Sequence, residues 1–84
     1  MFKVRQLEAF HAVMVAGTVT GAAVRLGLSQ PAISTLIAGL ESDLGFGLFV
    51  REKSRLQPTE EAKYLHGAVV AALQGLGSIE QLAA

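Results

Sequence analysis

Three polar side chains near the start of a short amphipathic segment could hydrogen-bond to the edges of nucleic-acid bases. The amide of Gln30 can donate and accept together, which matches the N6 and N7 edge of adenine, and the hydroxyls of Ser34 and Thr35 follow about one helical turn later. The apolar residues of the segment recur at helical spacing, and they are Ile33, Leu36, Ile37, Leu40 and Leu44. The pattern predicts an amphipathic helix over residues 30–44 whose first turns suit a DNA major groove.

The residues just before this helix predict how it is positioned. Gly27 can adopt the positive φ that ends one helix and turns the chain. Ser29 can cap the next helix, and Pro31 fits its first turn, where no intrahelical donor is required. The preceding residues 20–26 carry alanines on one side and let a second helix cross closely. Residues 19–44 therefore predict a helix-turn-helix.

A first helix is expected over residues 4–15, where apolar residues recur through three turns and can form a core. Gly17 ends it. Thr18 or Thr20 can then cap the second helix, because a hydroxyl oxygen accepts from the free N–H groups of a first turn. The same hydroxyls could instead reach a phosphate, since a helix start is a favourable anion site. The sequence leaves both roles open for each threonine.

A two-stranded wing is expected after the third helix. An apolar strand at residues 48–50 and a returning strand at residues 56–57 enclose a polar turn. The turn carries three cationic side chains that would lie close together, Arg51, Lys53 and Arg55. They are either the solvated turn of a hairpin or contacts to a DNA backbone or minor groove, whose negative potential attracts arginine.

The last segment predicts a long helix that begins after Pro58, with Thr59 as its N-cap and two glutamates favourable in its first turn. Small and apolar residues then recur at intervals of three and four, which is typical of a heptad seam. The seam comprises Ala62, Leu65, Val69, Ala72, Leu76, Ile79 and Ala83. It can pack back on the small body or pair with another chain, and the residues alone leave both open.

Length, charge and cysteine content limit the other possibilities. The 84 residues suffice for one small domain with one core. Residues 1–58 carry six basic against four acidic side chains, and residues 59–84 carry one against three, so the positive excess accompanies the helix-turn-helix and wing. The absence of cysteine excludes a disulfide framework and a thiolate metal site. No uncharged run reaches a membrane span, so a soluble cytoplasmic protein without a membrane partner is expected.

Catalysis, metals and cofactors find little support in the sequence. His11 and His66 are far apart, with no cysteine or further carboxylate at ligand spacing, so His11 is expected beside the core and His66 in solvent. No Ser-His-Asp order or Gly-rich phosphate loop is evident. The sequence thus predicts no enzyme, no metal and no cofactor. The rival to DNA binding is a winged helix that binds protein, which would not respond to DNA sequence or salt.

Four motifs, in order, resemble the N-terminal domain of LysR-type transcriptional regulators. They are Ser29-Gln30-Pro31-Ala32-Ile33-Ser34, Leu40-Glu41-x-x-Leu44-Gly45, Leu48-Phe49-x-Arg51 and Pro58-Thr59-Glu60-Glu61-Ala62. The resemblance covers nearly the whole chain. It implies a mostly α winged helix-turn-helix, with three helices and a two-stranded wing in residues 1–58, followed by a long linker helix in residues 59–84. It also implies an effector-binding domain that is absent from these residues, and residues 55–62 look most like members tied to amino-acid or opine metabolism.

The resemblance further implies partners and contact residues. The domain would read a partly palindromic operator on double-stranded DNA at the nucleoid, as a homodimer, with higher oligomers only when the effector domain is present. Base-edge and nearby contacts carry over to Gln30, Pro31, Ser34 and Thr35, and backbone or wing contacts to Thr18, Thr20, Arg51, Lys53 and Arg55. Dimer contacts carry over to Leu65, Val69, Ala72, Leu76 and Ile79. The chain departs from the family pattern after Ser34, where Thr35, Leu36, Ala38 and Gly39 cannot pair bidentately with guanine.

Overall fold

The computed structural model describes residues 2–53 and 55–83 and contains, within them, four helices and one β-hairpin. In chain order the elements are α1 (Val4–Ala16), α2 (Val19–Leu26), α3 (Gln30–Leu44), β1 (Phe49–Glu52), β2 (Arg55–Pro58) and α4 (Glu60–Ala83). Helices α1, α2 and α3 pack on one another, the hairpin follows α3, and α4 returns along α1. The predicted mostly α winged helix-turn-helix with a long last helix is confirmed, and α3 has the predicted bounds.

The turn between α2 and α3 is built by the glycine and the serine that the sequence indicated. Gly27 has a φ of 66° and ends α2 in the left-handed conformation. The Ser29 hydroxyl accepts from the Ala32 N–H at 3.2 Å and caps α3. At the start of α2, the Thr18 hydroxyl accepts from the Gly21 N–H at 2.9 Å, so Thr18 is the cap of that helix. The starts of α2 and α3 are therefore both fixed by local hydrogen bonds.

The core of the body lies between the first three helices and is closed by the hairpin. Its largest fully buried side chains are Phe10, Val13, Ile33, Leu40 and Leu48. Leu36 is half-buried and packs against this core. Leu36 therefore contributes to the packing of α3 on the body.

Gly39, inside α3, lets α1 approach closely. A Cβ added at Gly39 would lie 3.0 Å from Nε2 of Gln6. Gln6 is buried, accepts from the Lys3 N–H at 2.8 Å and donates from Nε2 to Asp43 at 3.3 Å. One amide thus joins the start of α1 to the end of α3. Glycine in a helix interior lowers stability by about 1 kcal/mol relative to alanine. At residue 39 the missing side chain leaves room for the close contact with Gln6.

The wing has longer strands than the sequence predicted. β1 and β2 pair antiparallel over four residues each, with Glu52 opposite Arg55 beside the turn. Arg51 and Arg55 therefore belong to the strands and not to the turn, where Lys53 has a φ of 52°. Polar residues extend the strands because one face of a two-stranded ribbon is open to water, where apolar side chains are not required.

The first half of α4 belongs to the same core as the body. The Thr59 hydroxyl accepts from the Ala62 N–H at 3.1 Å and caps α4 as predicted. Ala62 is fully buried, Val69 exposes only 3% of its surface, and Leu65 packs against the core. This half of the seam packs back on the body. The assignment of Val69 as a dimer contact is corrected accordingly, because almost none of its surface remains for a second chain.

The second half of α4 is largely uncovered. Ile79 is 63% exposed and Leu82 is 88% exposed, and Ala72 and Leu76 are also exposed. Apolar as it is, α4 does not qualify as a membrane-spanning helix, and neither does any other helix in residues 2–53 and 55–83. The seam predicted as one unit therefore divides into a half that completes the core and a half that faces outward.

His11 and His66 meet between α1 and α4, although they are 55 residues apart in sequence. Nδ1 of His11 and Nε2 of His66 lie 2.9 Å apart. The ring of His66 also meets the Phe10 ring edge-on, with centroids 5.8 Å apart. Both histidines are half-buried, so the expectation that His66 lies in solvent is wrong. The reason is the docking of α4 on α1, which brings distant residues together.

Candidate nucleic-acid interface

An open cleft separates the starts of α2 and α3 from the wing. Its volume is about 540 Å³, and it is lined by Gly17, Thr18, Val19, Thr20, Gln30, Arg51, Arg55, Leu56 and Gln57. Three separate parts of the chain meet here: the junction of α1 and α2, the N-terminal end of α3, and both strands of the wing. Five of the predicted contact residues share the cleft, namely Thr18, Thr20, Gln30, Arg51 and Arg55.

The helix starts bring hydrogen-bond donors to the cleft. Thr18 uses an oxygen lone pair to accept from the Gly21 N–H, and its hydroxyl hydrogen remains available to a ligand. Capping and phosphate binding are therefore compatible at Thr18, because the first uses the acceptor and the second uses the donor. Thr20 and Gln30 are exposed beside it. The positive ends of two helix dipoles add to the attraction for an anion.

The cleft is positively charged. Arg51 and Arg55 are exposed, and neither forms an ion pair within the described part of the chain. Glu52 lies opposite Arg55 in the hairpin register without coming within ion-pair distance of it. None of the described residues that line the cleft is acidic. Two guanidinium groups with free donors favour a polyanion such as a phosphodiester backbone.

The outer side of α3 continues the polar surface. Ser34 lies in a smaller adjoining depression of about 180 Å³ that Arg51 also lines. Pro31 and Thr35 are exposed on α3 but do not line the cleft. The first two turns of α3 thus present one amide and two hydroxyls, of which those of Gln30 and Ser34 share depressions with Arg51, and the helix carries no basic residue.

Lys53 does not line the cleft. It sits at the turn and lines a different depression, together with Glu52, Arg55 and Glu60. Those carboxylates offset its charge at short range. Arg51 and Arg55 therefore share the cleft, whereas Lys53 shares only the other depression with Arg55.

Gln57 is a cleft residue that the sequence did not predict. Exposure alternates along β2, with Arg55 and Gln57 exposed and Leu56 and Pro58 half-buried. Successive side chains of a strand point to opposite faces, so Arg55 and Gln57 share a face. The alternation was a usable signal, but it becomes visible only when the strand is extended back to Arg55. Gln57 adds a second amide to the cleft.

The capped α2–turn–α3 unit, the hairpin beside it and the cationic cleft between them define a winged helix-turn-helix domain. The family model for bacterial regulatory helix-turn-helix proteins of the lysR family matches residues 4–63. The chain belongs to this family, and the resemblance found in the sequence is confirmed. The family is one of transcriptional regulators, which are not enzymes.

Relatives match along most or all of the chain. The regulatory protein NocR of Agrobacterium fabrum is 46% identical over 84 residues, which are 100% of this chain and 28% of NocR. The octopine catabolism/uptake operon regulatory protein OccR of Rhizobium meliloti is 46% identical over 80 residues, which are 95% of this chain and 27% of OccR. The chain therefore spans little more than a quarter of the length of these relatives.

Solved structures share the fold. CbnR, a LysR family transcriptional regulator, has a TM-score of 0.90 and 32% identity over 98% of this chain and 28% of CbnR. A CbnR_DBD-DNA complex has a TM-score of 0.88 and 32% identity, and it covers 98% of this chain and 94% of that one. A BenM_DBD/benA site 1 DNA complex has a TM-score of 0.89 and 27% identity over 98% and 92% of the two chains.

Proposed function

We propose that this chain binds duplex DNA sequence-specifically and is the DNA-reading part of a transcription regulator. The observation that carries the proposal is the cleft, where two helix starts meet two arginines and none of the described lining residues is acidic. Such a cleft suits a phosphodiester backbone, and the polar start of α3 beside it suits base edges. The chain acts by binding and not by catalysis. The DNA complexes formed by domains similar to this one support the proposal.

In this proposal α3 enters the major groove. Gln30 bonds to a base edge, for which adenine is the best partner of an amide, and Ser34 adds a weaker contact through its single hydroxyl. Pro31 and Thr35 lie against neighbouring positions in the groove. Because α3 carries no arginine or lysine, reading of guanine is weak, and base recognition is confined to the first two turns.

The groups around α3 hold the DNA backbone. Thr18 and Thr20 donate hydroxyl hydrogens to phosphates from the start of α2. Arg51 and Arg55 reach the flanking backbone or the minor groove, and Lys53 adds charge from the turn of the wing. Because the basic groups are few, affinity for random DNA is low and the dependence of binding on salt is shallow.

We infer a homodimer formed through the second half of α4. Three apolar residues of this half are exposed in the absence of a partner, namely Ala72, Leu76 and Ile79. Leu65 contributes to the interface only at the end of the seam nearest the body, where it also packs on the core. A second copy of the helix would remove this apolar surface from water. Two bodies joined in this way would read the two halves of a partly palindromic operator.

The chain divides, in this proposal, into a DNA-reading body at residues 1–58 and a linker and dimerisation helix at residues 59–84. The core crosses the boundary at Ala62 and Val69, so the first turns of α4 are fixed to the body. The orientation of each body therefore follows the orientation of α4. We place the effector-binding domain outside these residues, in keeping with the greater length of NocR and OccR, and the regulator in the cytoplasm at the nucleoid.

Selection of bound duplexes from a random pool tests the proposal. A DNA reader enriches a common half-site over several rounds, and electrophoretic retention of the selected duplex falls as salt is added. The double variant Arg51→Ala, Arg55→Ala is the control, since it removes both cations from the cleft and should lose retention. A winged helix that binds protein enriches no sequence, and that outcome would reject the proposal.

A further inference from the structure

The two imidazole rings at the contact of α1 with α4 meet end to end. Nδ1 of His11 and Nε2 of His66 lie 2.9 Å apart, and the ring centroids lie 5.2 Å apart. The centroid distance exceeds the nitrogen–nitrogen distance by the sum of the two centroid-to-nitrogen distances. Both nitrogens therefore lie on the line between the centroids. One nitrogen must donate a hydrogen and the other must accept it.

This contact tolerates one added proton but not two. When both rings are neutral, or when one is charged, a donor can face an acceptor across the 2.9 Å gap. When both rings are charged, every ring nitrogen carries a hydrogen, so two donors and two positive charges face each other. Burial lowers the pKa of His66, and the charge of His11 lowers it further, in agreement with this geometry.

The surroundings offer little to compensate a second charge. The groove beside His11 is lined by the charged residues Glu8 from α1, Arg25 from α2 and Glu80 from α4, and Lys63 lies one turn before His66 on α4. Glu8 already pairs with Arg5 at 3.4 Å, and Lys63 pairs with Glu60 at 3.1 Å. From the hairpin, the Phe49 ring packs beside the cluster on Phe10 and carries no charge. Each imidazole therefore depends on the other for its hydrogen bond.

We propose that the His11–His66 pair makes the packing of α4 on the body sensitive to pH, and that α4 loosens from α1 when the second proton binds. His66 lies between Ala62 and Val69, the two buried residues of α4. Separation of the two rings therefore weakens the packing of α4 on the body at its centre. Protonation changes the placement of α4 without altering the cleft, so this inference does not rest on DNA binding.

The stability of the protein should also decrease as the pH is lowered. A histidine with a lowered pKa in the folded state binds its proton less readily than the unfolded chain does. The free energy of unfolding is therefore greatest above about pH 6.5, the ordinary histidine pKa. It falls as the pH drops through that value and then through the lowered pKa of His66.

A titration followed by NMR tests the proposal directly, because the chain contains only two histidines. Between about pH 8 and about pH 5, the wild-type rings should titrate in two separate steps, the lower of which is the binding of the second proton. The lower step should move backbone amide signals of α1 and α4 together. In His11→Gln the glutamine amide still donates and accepts but does not titrate. His66 should then titrate in one step nearer its ordinary pKa, and the helix amides should stay in place.

The proposal is overturned if the wild-type rings titrate together at the pH found for the single-histidine variants. It is equally overturned if the lower step leaves the amides of α1 and α4 unmoved. His66→Gln provides a second single-histidine protein, so the comparison does not depend on the folding of one variant. Urea unfolding at about pH 7.5, where both rings are mostly neutral, establishes that each variant is folded before its titration is compared.

Discussion

The carboxylate of Glu41 accepts the backbone N–H of Leu48 at 2.7 Å, which ties the end of α3 to the start of the wing. The same oxygen accepts the Phe49 N–H at 3.4 Å. Arg51 stands only two residues beyond Phe49 on the same strand. Glu41 therefore helps to place the wing cations relative to α3, although it does not itself line the cleft.

Removal of this carboxylate should destabilise the fold. Glu41→Ala leaves the two N–H groups without their charged acceptor, so the free energy of unfolding should fall by about 1.5–3 kcal/mol. Urea unfolding at neutral pH measures the change. Ser42→Ala, at the exposed neighbouring position, is the matched control and should change it by less than about 0.5 kcal/mol. Equal small effects in the two variants would show that Glu41 does not hold the wing.

Replacement of Gly39, in the middle of α3, by alanine should not stabilise the protein. Gly67→Ala should stabilise the protein by about 0.5–1 kcal/mol, since nothing lies within 4 Å of the added Cβ. Gly39→Ala offers the same gain in helix propensity, but its Cβ would meet Nε2 of Gln6 at 3.0 Å. Its net effect should be zero or destabilising in thermal unfolding. A gain at Gly39 that equals the gain at Gly67 would contradict the close packing of α1 on α3.

Two substitutions separate assembly from folding in α4. Ile79→Glu places a carboxylate on the uncovered half of the helix and should give folded monomers in sedimentation equilibrium. Val69→Glu places it in the core and should lower the free energy of unfolding by more than about 3 kcal/mol. If the wild type is a monomer, or if Ile79→Glu remains a dimer, the proposed interface is wrong.

The salt dependence of binding should depend on the cleft cations. Arg51→Ala and Arg55→Ala should each reduce the slope of log K against log salt on the selected duplex by up to about one unit. Arg25→Ala is the matched control, because Arg25 lines the groove between α1, α2 and α4 and not the cleft. Fluorescence anisotropy at several salt concentrations measures the slopes. An equal reduction in all three variants would mean that the phosphate contacts are misplaced.

Local features of the chain were sufficient to predict most of the fold. Gly27, Ser29 and Thr59 each act through bonds within a few residues, so a capping or turn-forming residue can be recognised without knowing its distant neighbours. The residues that gather in the cleft were predicted for the same reason. Thr18 and Gln30 follow from the helix starts, and Arg51 from the wing.

The predictions that failed depend on long-range packing. A heptad seam has the same pattern whether it covers its own body or a second chain, so the burial of Val69 could not be read from spacing. The contact of His66 with His11 likewise arises only when α4 docks on α1. Gln57 was overlooked because polar residues were assigned to the turn, although their alternation continues the strand.

The start of α3 is proposed to read bases, and the affinity of Gln30→Ala for two duplexes tests this role most directly. The amide of Gln30 can pair with an adenine edge, so the variant should bind the selected duplex more weakly by about 1–3 kcal/mol and bind a random duplex almost as the wild type does. Gln81→Ala, on the exposed end of α4, should leave both affinities unchanged. Equal losses on the selected and the random duplex would contradict base reading by Gln30.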